Sequence, residues 1–178
     1  MPRTFFFDNE KAIRRAVPIL KNKINVDITF KGRSLLIKGK EYSEYICEKI
    51  LRAIDFGFEI DDSLLLTDEN YQFEILNIKN FTPRKNLSEI RARVIGKDGK
   101  SKKTIEEITG SKIVIRNNKV GIISDNEHIQ QITQGFSSLI HGAKHANVFS
   151  YLEKQNTKIK EADDDLGLKD SFKKFNKV

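Results

Sequence analysis

Two glycines three residues apart, Gly96 and Gly99, lie within a strongly basic stretch of the sequence. Glycine has no Cβ, so a chain can turn sharply at such positions and a sugar-phosphate strand can approach its main chain closely. From Arg91 to Lys103 the one acid is Asp98, and the basic residues are Arg91, Arg93, Lys97, Lys100, Lys102 and Lys103. Contacts between such side chains and phosphate hold a strand in register without reading its bases. The residues therefore predict binding of a nucleic-acid backbone.

The flanking residues predict the elements that position this loop. Ile105 and Ile108, after the loop, are three residues apart, as on one face of a helix. Ile113 and Ile115 then alternate as in a strand. The predicted order of helix, tight glycine loop, helix and strand resembles a KH motif, whose GXXG loop clamps a nucleic-acid backbone. The helix after the loop would direct its free N–H groups and the positive end of its dipole at that backbone.

Two other kinds of glycine-containing loop are compatible with parts of this stretch. The run Gly99-Lys100-Ser101 matches the end of a phosphate-binding P-loop, but that motif needs a glycine five positions before Gly99, where the sequence has Val94. A nucleotide hydrolase is therefore excluded. A surface helix-turn-helix with a solvated lysine face would explain a lone pair of glycines. The isoleucine pattern and the basic bias together favour the KH loop.

The composition agrees with a polyanionic partner. The chain has 178 residues, with 32 Lys and Arg against 25 Asp and Glu, a net charge of +7 and a pI near 9.4. Charge alone does not separate RNA from DNA or from an anionic membrane. No apolar run approaches the length of a membrane span, and the N-terminus lacks the pattern of a signal peptide. We therefore expect a soluble intracellular protein with no membrane partner.

Residues for catalysis or metal binding do not form a recognisable set. Cys47 is the single cysteine, which excludes an internal disulfide and a cysteine-based metal cluster, and its apolar helical surroundings predict that it is buried. His141 and His145 are four apart, but no Cys, Asp or Glu nearby completes a zinc set. Nothing marks a nucleophile turn. We predict no enzymatic activity, no metal and no cofactor.

The first half of the chain predicts strands and helices in a definite order. They are a strand at Arg3–Phe7, a helix capped by Asp8 or Asn9 and ending near Lys23, a hairpin between Val26 and Ile37, a helix Glu41–Phe56 stopped by Gly57, a short helix Ile60–Leu66 and a strand Tyr71–Ile78. Pro18 is expected to interrupt the first helix or to mark where two short helices meet.

A fixed offset of 85 residues relates the two halves of the chain. It places Ile28 on Ile113, Ile37 on Ile122, Leu51 on Phe136 and Gly57 on Gly142. Matching core positions and helix ends at a fixed period indicate two copies of one supersecondary unit. The same offset places the glycine loop on Lys11–Arg14. The first copy is therefore expected to keep the scaffold and to lose the clamp, because an unbroken helix covers the main chain there.

These patterns predict an α+β fold with two tandem type I KH-like units, each a three-stranded antiparallel sheet packed with helices, the first without a GXXG loop. The predicted domains are residues 1–68 and 69–158. In the second, Asp125 or Asn126 caps a helix ending near His141, and a last helix runs from about Asn147 to Lys158. Residues 159–178, of mixed charge, predict a disordered tail, with a segment that folds onto a partner as the alternative.

Several segments resemble the paired-KH ribosome assembly factors of the partner-of-Nob and Krr group. They are Arg93–Lys102, Thr104–Thr109, the turn Arg116–Lys119 and the ending Gly142–Glu153. The resemblance covers nearly all of residues 1–158 and is specific in the second unit. It implies a factor that binds single-stranded pre-rRNA of the small subunit near its 3′ end, beside the Nob endonuclease and other assembly factors. The candidate RNA-binding residues are Arg93, Ile95, Gly96, Lys97, Asp98, Gly99, Lys100, Lys102, Lys103 and Lys112.

The chain also departs from that group's pattern. Archaeal members keep a glycine loop in the first unit, whereas Lys11–Arg14 here is closer to the eukaryotic pattern, and the ending from His145 to Glu153 resembles archaeal members. An archaeal source is favoured, and it implies that the protein is located in the cytoplasm. A eukaryotic source would imply the nucleolus or nucleus. The alternative function is an RNA-binding subunit of an RNA-processing enzyme, such as an exosome cap. Such caps usually add a β-rich domain that the sequence does not show.

Overall fold

The structure, a computed structural model, describes residues 3–165. Its elements in chain order are β1 Arg3–Phe6, α1 Glu10–Ile24, β2 Asp27–Lys31, β3 Ser34–Lys38, α2 Glu41–Phe56, α3 Ile60–Leu64, β4 Tyr71–Asn77, α4 Leu87–Ile95, α5 Lys100–Thr109, β5 Lys112–Arg116, β6 Lys119–Asp125, α6 Ile129–His141 and α7 His145–Asp165. Short 3-10 turns follow α3, β4 and α4.

Each half of the chain forms an antiparallel sheet with its last strand in the middle. The strand orders are β1-β3-β2 and β4-β6-β5. In the second half the sequence of elements is β-α-α-β-β-α, which is the type I KH order. The predicted fold class, α+β with two three-stranded antiparallel sheets packed with helices, is confirmed.

The register of the sheets shows where the two halves match and where they differ. Ile28 pairs with Ile37, and Ile113 pairs with Ile122, so the offset of 85 residues is kept across both hairpins. The first strands follow another offset. Arg3 pairs with Ile37, and Glu74 pairs with Ile122. Arg3 and Glu74 are 71 residues apart in the sequence, not 85. The first half is therefore shorter between its first and second strands, and it lacks the helix before the loop as well as the two glycines.

By backbone proximity the described chain divides into two compact units. The first contains the residues up to Asn77 together with Lys112–Asn126, and so includes both sheets. The second contains Ile78–Ser111 together with the chain from Glu127, and so consists of the helices α4 to α7.

In the first unit, helix α1 runs without interruption through Pro18. The expectation that Pro18 breaks the helix is wrong. Proline removes one backbone hydrogen bond, but Pro18 lies on the exposed side of α1, while the opposite face is held by burial. That buried face comprises Ile13, Ala16, Val17 and Leu20. Of the two expected caps, Asn9 is the one used, because its side chain accepts from the Ala12 N–H at 3.3 Å.

The second sheet shares a core with the first half of the chain. Ile123 is fully buried in the same apolar cluster as α1 and α2, and Phe73 and Val114 pack against that cluster. Gly121 makes this packing possible. A Cβ at Gly121 would stand 2.5 Å from the Phe56 ring and 2.9 Å from the Phe58 ring, so glycine lets both rings lie on the sheet. The two rings also contact the Phe73 ring edge-on.

In the second unit, each of the four helices buries apolar side chains. The buried residues include Ile90, Val94, Ile105, Ile132, Phe136, Leu139, Ile140, Val148 and Leu152. One polar side chain links three elements. Asn156 on α7 donates to the Ile108 carbonyl at 2.6 Å and lies 3.1 Å from the His128 ring nitrogen before α6.

The ends of the last two helices differ from their sequence-based bounds. Asp125 belongs to β6, and Asn126 donates instead to the Glu69 carbonyl, so neither caps α6. Helix α6 follows His128, which makes no side-chain cap. Helix α7 begins at His145 and continues to Asp165, so residues 159–165 of the predicted tail are helical rather than disordered. The remainder of that predicted tail lies outside the described residues.

Candidate nucleic-acid interface

The chain leaves α4 and enters α5 through the predicted glycine loop. Helix α4 closes with the Gly96 N–H donating to the Ala92 carbonyl at 2.9 Å, and Gly96 then adopts φ 77° and ψ 169°. The turn closes with the Gly99 N–H donating to the Gly96 carbonyl at 3.2 Å. Asp98, at the apex, has φ 54° and ψ 27°, a left-handed conformation that Asp tolerates better than most residues. The predicted order of helix, loop, helix and strand is confirmed.

The two glycines meet different surroundings. A Cβ at Gly96 would stand 2.6 Å from the Ser101 Cβ and from the Ser101 nitrogen, so the start of α5 presses directly on Gly96. Its φ and ψ also fall in a region populated essentially by glycine. A Cβ at Gly99 would meet no atom within 4 Å, although φ is 75°. Gly96 is thus required by the turn itself, and Gly99 leaves its main chain open on the surface.

The main chain at the start of α5 can accept an anion. Gly99 stands at the N-cap of α5 and carries no side chain to accept hydrogen bonds from the first turn. The N–H groups of Gly99 and Lys100 donate to the Gly96 and Lys97 carbonyls within the turn, so an anion would be met chiefly by the following N–H groups of the first helical turn. The helix dipole places partial positive charge at the same end. An anion that approached over the bare Gly99 backbone would meet both.

Three exposed lysines surround this end of the helix. Lys97 lies in the turn, and Lys100 and Lys103 lie on the first turn of α5. Within residues 3–165, no ion pair joins any of the three to an acid. Their ammonium groups are therefore available to a negatively charged strand.

The other candidate residues take different positions. Lys102 is partly buried and stands 3.8 Å from Glu106, one turn further along α5. Ile95 is half-buried at the end of α4. Lys112 begins β5 and forms an ion pair with Asp62 at 3.1 Å. These two lysines thus have acidic neighbours that would compete with phosphate.

Arg93 is held by main-chain carbonyls. Its Nε donates to the Leu139 oxygen at 3.1 Å, and its Nη2 donates to the Gly142 oxygen at 3.0 Å and also to the Ala143 oxygen. The backbone oxygen of Arg93 lies 2.9 Å from Nε2 of His145. The sequence placed Arg93 beside the loop but could not show these partners, which lie 46 to 52 residues further along the chain.

His145 and Ser101 are the residues near the loop that the sequence did not single out. His141, four residues before His145, does not share its contact, because Nδ1 of His141 lies 2.7 Å from the Ser137 oxygen. In the described part of the chain, no group of three or more His, Cys, Asp or Glu side chains is arranged to hold a metal ion. No helix within residues 3–165 is long and apolar enough to cross a membrane.

The topology and the glycine loop define a type I KH protein. Residues 72–157 match the model of the second KH domain of Pno1, described as a eukaryotic type KH domain of type I. The chain belongs to the paired-KH group that contains the pre-rRNA-processing protein Pno1.

An archaeal and a fungal protein are among the relatives. A KH domain-containing protein of Methanocaldococcus jannaschii is 35% identical over 123 residues, covering 68% of this chain and 54% of its own length. Pno1 of Saccharomyces cerevisiae is 35% identical over 115 residues, covering 62% of this chain and 42% of its own length. The chain thus spans about half the length of the curated relatives that it matches.

Solved structures share the fold. A protein of unknown function from Aeropyrum pernix has a TM-score of 0.82 at 20% identity, covering 92% of this chain and 94% of its own. Dim2p of Pyrococcus horikoshii has a TM-score of 0.78 at 22% identity, and the match covers 86% of this chain and 99% of the Dim2p chain. The same species' a/eIF2alpha-aDim2p-rRNA complex also matches, with a TM-score of 0.78 at 21% identity, covering 89% and 95%.

Proposed function

We propose that this protein is a non-catalytic RNA-binding factor in small ribosomal subunit assembly, which holds single-stranded pre-rRNA near its 3′ end through the loop Gly96–Gly99. The observation that carries the proposal is the open main chain of Gly99 at the start of α5, beside unpaired lysines. The similarity of this chain to pre-rRNA-processing proteins and to a Dim2p that was solved in complex with rRNA supports the proposal.

The geometry of the loop indicates how it would bind single-stranded RNA. A phosphate would approach over Gly99, where no side chain blocks it, and would accept from the first N–H groups of α5. Lys97, Lys100 and Lys103 would neutralise this phosphate and its neighbours. Since these contacts address the backbone, they would hold the strand in register without selecting its sequence. Ile95, half-buried beside the loop, is our candidate for apolar contact with a base.

We place the tandem division at residues 1–68 and 69–158, with RNA binding in the second part. The first part has neither the glycines nor the preceding helix, so we assign it a structural and protein-docking role. The partners proposed are a Nob-type endonuclease, which would supply the cleavage, and other assembly factors. For an archaeal source the compartment is the cytoplasm, and for a eukaryotic source it is the nucleolus or nucleus.

Two variants at Gly99 test the proposed site. Gly99→Asp adds a negative charge where phosphate must approach, and Gly99→Asn adds nearly the same volume without charge. Both residues tolerate the left-handed backbone, so both chains are expected to fold. Fluorescence anisotropy on a short single-stranded rRNA oligonucleotide should show binding abolished by Asp and weakened less by Asn. Unchanged affinity of a folded Gly99→Asp chain would refute the site.

Affinity purification of the tagged full chain tests the cellular role. Precursor small subunits should co-purify, and they should be lost with Gly99→Asp. Recovery of exonuclease subunits in their place would instead assign the chain to an RNA-processing enzyme complex.

A further inference from the structure

Arg93 closes the end of a helix other than its own. Its guanidinium bonds the carbonyls of Leu139, Gly142 and Ala143, where α6 ends and the chain turns into α7. The last four carbonyls of a helix have no intrahelical donor, and the dipole makes that end negative. The planar fork of a guanidinium can satisfy several carbonyls at once, which the single ammonium of lysine cannot do with the same geometry.

His145 provides the reciprocal contact. In a continuous helix the Arg93 carbonyl would accept from the N–H four residues later, at Lys97. Because the helix ends at Gly96, that bond is lost, and the ring of His145 lies 2.9 Å from the carbonyl instead. His145 is the first residue of α7. The side chain of Arg93 therefore closes α6, while a side chain of α7 closes α4 at the backbone of Arg93.

This pair of contacts fixes the helix end that leads into the loop. Arg93 lies in the last turn of α4, three residues before Gly96. The loop must present Gly99 and the start of α5 at a set angle to the strand, and the path of the chain into Gly96 determines that angle. Its own hydrogen bonds, from Gly96 to Ala92 and from Gly99 to Gly96, do not anchor it to the rest of the helical unit.

We propose that Arg93 and His145 are positioning residues for the Gly96–Gly99 loop, and that Arg93 does not itself bind phosphate. The inference rests on the proposed function, because it concerns how the loop is presented to RNA. It also changes the role that the sequence suggested for Arg93, whose positive charge is directed to carbonyls of its own chain.

The salt dependence of RNA binding separates these roles. A lost phosphate contact on a single strand flattens the slope of log affinity against log salt by about 0.7. Arg93→Met and His145→Ala should each weaken binding about tenfold, equivalent to about 1.4 kcal/mol, with the slope unchanged. Arg93→Lys keeps the charge but loses the fork, so it should resemble Arg93→Met. Lys100→Met is the matched control, in which the slope should flatten.

Three results would overturn the inference. A slope flattened by Arg93→Met and restored by Arg93→Lys would make Arg93 a phosphate ligand. A lowered melting temperature with unchanged affinity of the folded chains would make the pair merely structural. Additive losses in the Arg93→Met/His145→Ala double variant would show that the contacts do not act together. His145→Gln keeps a hydrogen-bond donor and should therefore bind RNA more tightly than His145→Ala. If the Arg93 variants do not fold, the comparison of these two His145 variants tests the inference.

Hydrogen exchange tests the same inference without RNA. Exchange at the amides of Gly96 and Gly99, which are hydrogen-bonded in the loop, should quicken in Arg93→Met and His145→Ala but not in Lys100→Met. Faster exchange would support the positioning role even if the chain did not bind RNA. The experiment therefore separates failure of this inference from failure of the proposed function. Unchanged exchange in both variants would contradict the inference.

Discussion

Gly96 lies so close to Ser101 that a Cβ on the glycine would stand 2.6 Å from the Cβ of the serine. This contact brings the end of α4 against the start of α5 and makes the loop tight. Gly99, three residues later, has open space where its Cβ would be. The two glycines of the GXXG pattern therefore serve different purposes, the first closing the turn and the second exposing main chain.

Alanine at the two positions should have unequal effects on stability. Gly96→Ala combines a glycine-only backbone conformation with the clash on Ser101, and we expect a loss of about 3 kcal/mol. Gly99→Ala meets no atom and incurs only the left-handed backbone cost of roughly 1 kcal/mol. Urea unfolding of the two variants measures the difference. Equal losses would show that the loop relaxes around a Cβ at Gly96.

Charge reversal should affect the two halves of the chain unequally. In the first half Arg14 forms an ion pair with Glu10 at 2.7 Å and lies 4.5 Å over the Phe30 ring, on an unbroken helix. Lys11→Glu/Arg14→Glu should therefore weaken RNA binding much less than Lys97→Glu/Lys100→Glu. Anisotropy on one RNA at one salt concentration compares the pairs. Equal losses, or a larger loss from the first pair, would mean that the first half still binds RNA.

Gly121 should tolerate alanine poorly. A Cβ there would stand within 3 Å of the rings of Phe56 and Phe58, so the rings must shift, at an expected loss of about 1–3 kcal/mol. Gly135→Ala is the control, since its Cβ would be in ordinary contact at 3.4 Å with Val148 and the position is helical. That variant should be neutral or stabilising. A neutral Gly121→Ala would show that the aromatic packing is loose.

Cys47 should make folding sensitive to alkaline pH. Burial raises the pKa of its thiol to about 12, because the thiolate is poorly solvated inside α2's apolar face. The pKa of this thiol is higher in the folded chain than in the unfolded chain. Its contribution to the free energy of unfolding is therefore complete below about pH 8.5 and is lost as pH rises towards 12. The pH dependence of unfolding free energy for the wild type, minus that of Cys47→Ala, isolates it. A flat difference would mean that the thiol reaches solvent in the folded chain.

Much of the fold could be predicted from local patterns. Strand alternation, the stop of α2 at Gly57 and the loop glycines are encoded within a few residues, so the hairpins and most helices follow from them. The continuous α1 could not be predicted, because its tolerance of Pro18 depends on the buried opposite face. The missing helix of the first half became visible in the strand register, where β1 and β4 follow a different offset from the hairpins.

The candidate site divides in the same way. Gly96, Gly99 and the lysines around them are a local signal, and the structure places them in the loop and on the first turn of α5. The roles of Arg93 and His145 depend on carbonyls and a ring from distant parts of the chain. No periodicity or spacing contains such a contact, and a basic residue beside a basic loop is indistinguishable from its neighbours until the fold is known.

The salt dependence of RNA binding tests the central claim most directly. If Lys97, Lys100 and Lys103 each neutralise one phosphate, the slope of log affinity against log salt on single-stranded RNA should be about −2. Including Arg93, as the sequence alone suggested, would give about −3. Replacing Lys100 and Lys103 together with methionine should flatten the slope by about 1.4 while circular dichroism remains that of the wild type. An unchanged slope in the folded double variant would contradict the claim that this loop holds the RNA backbone.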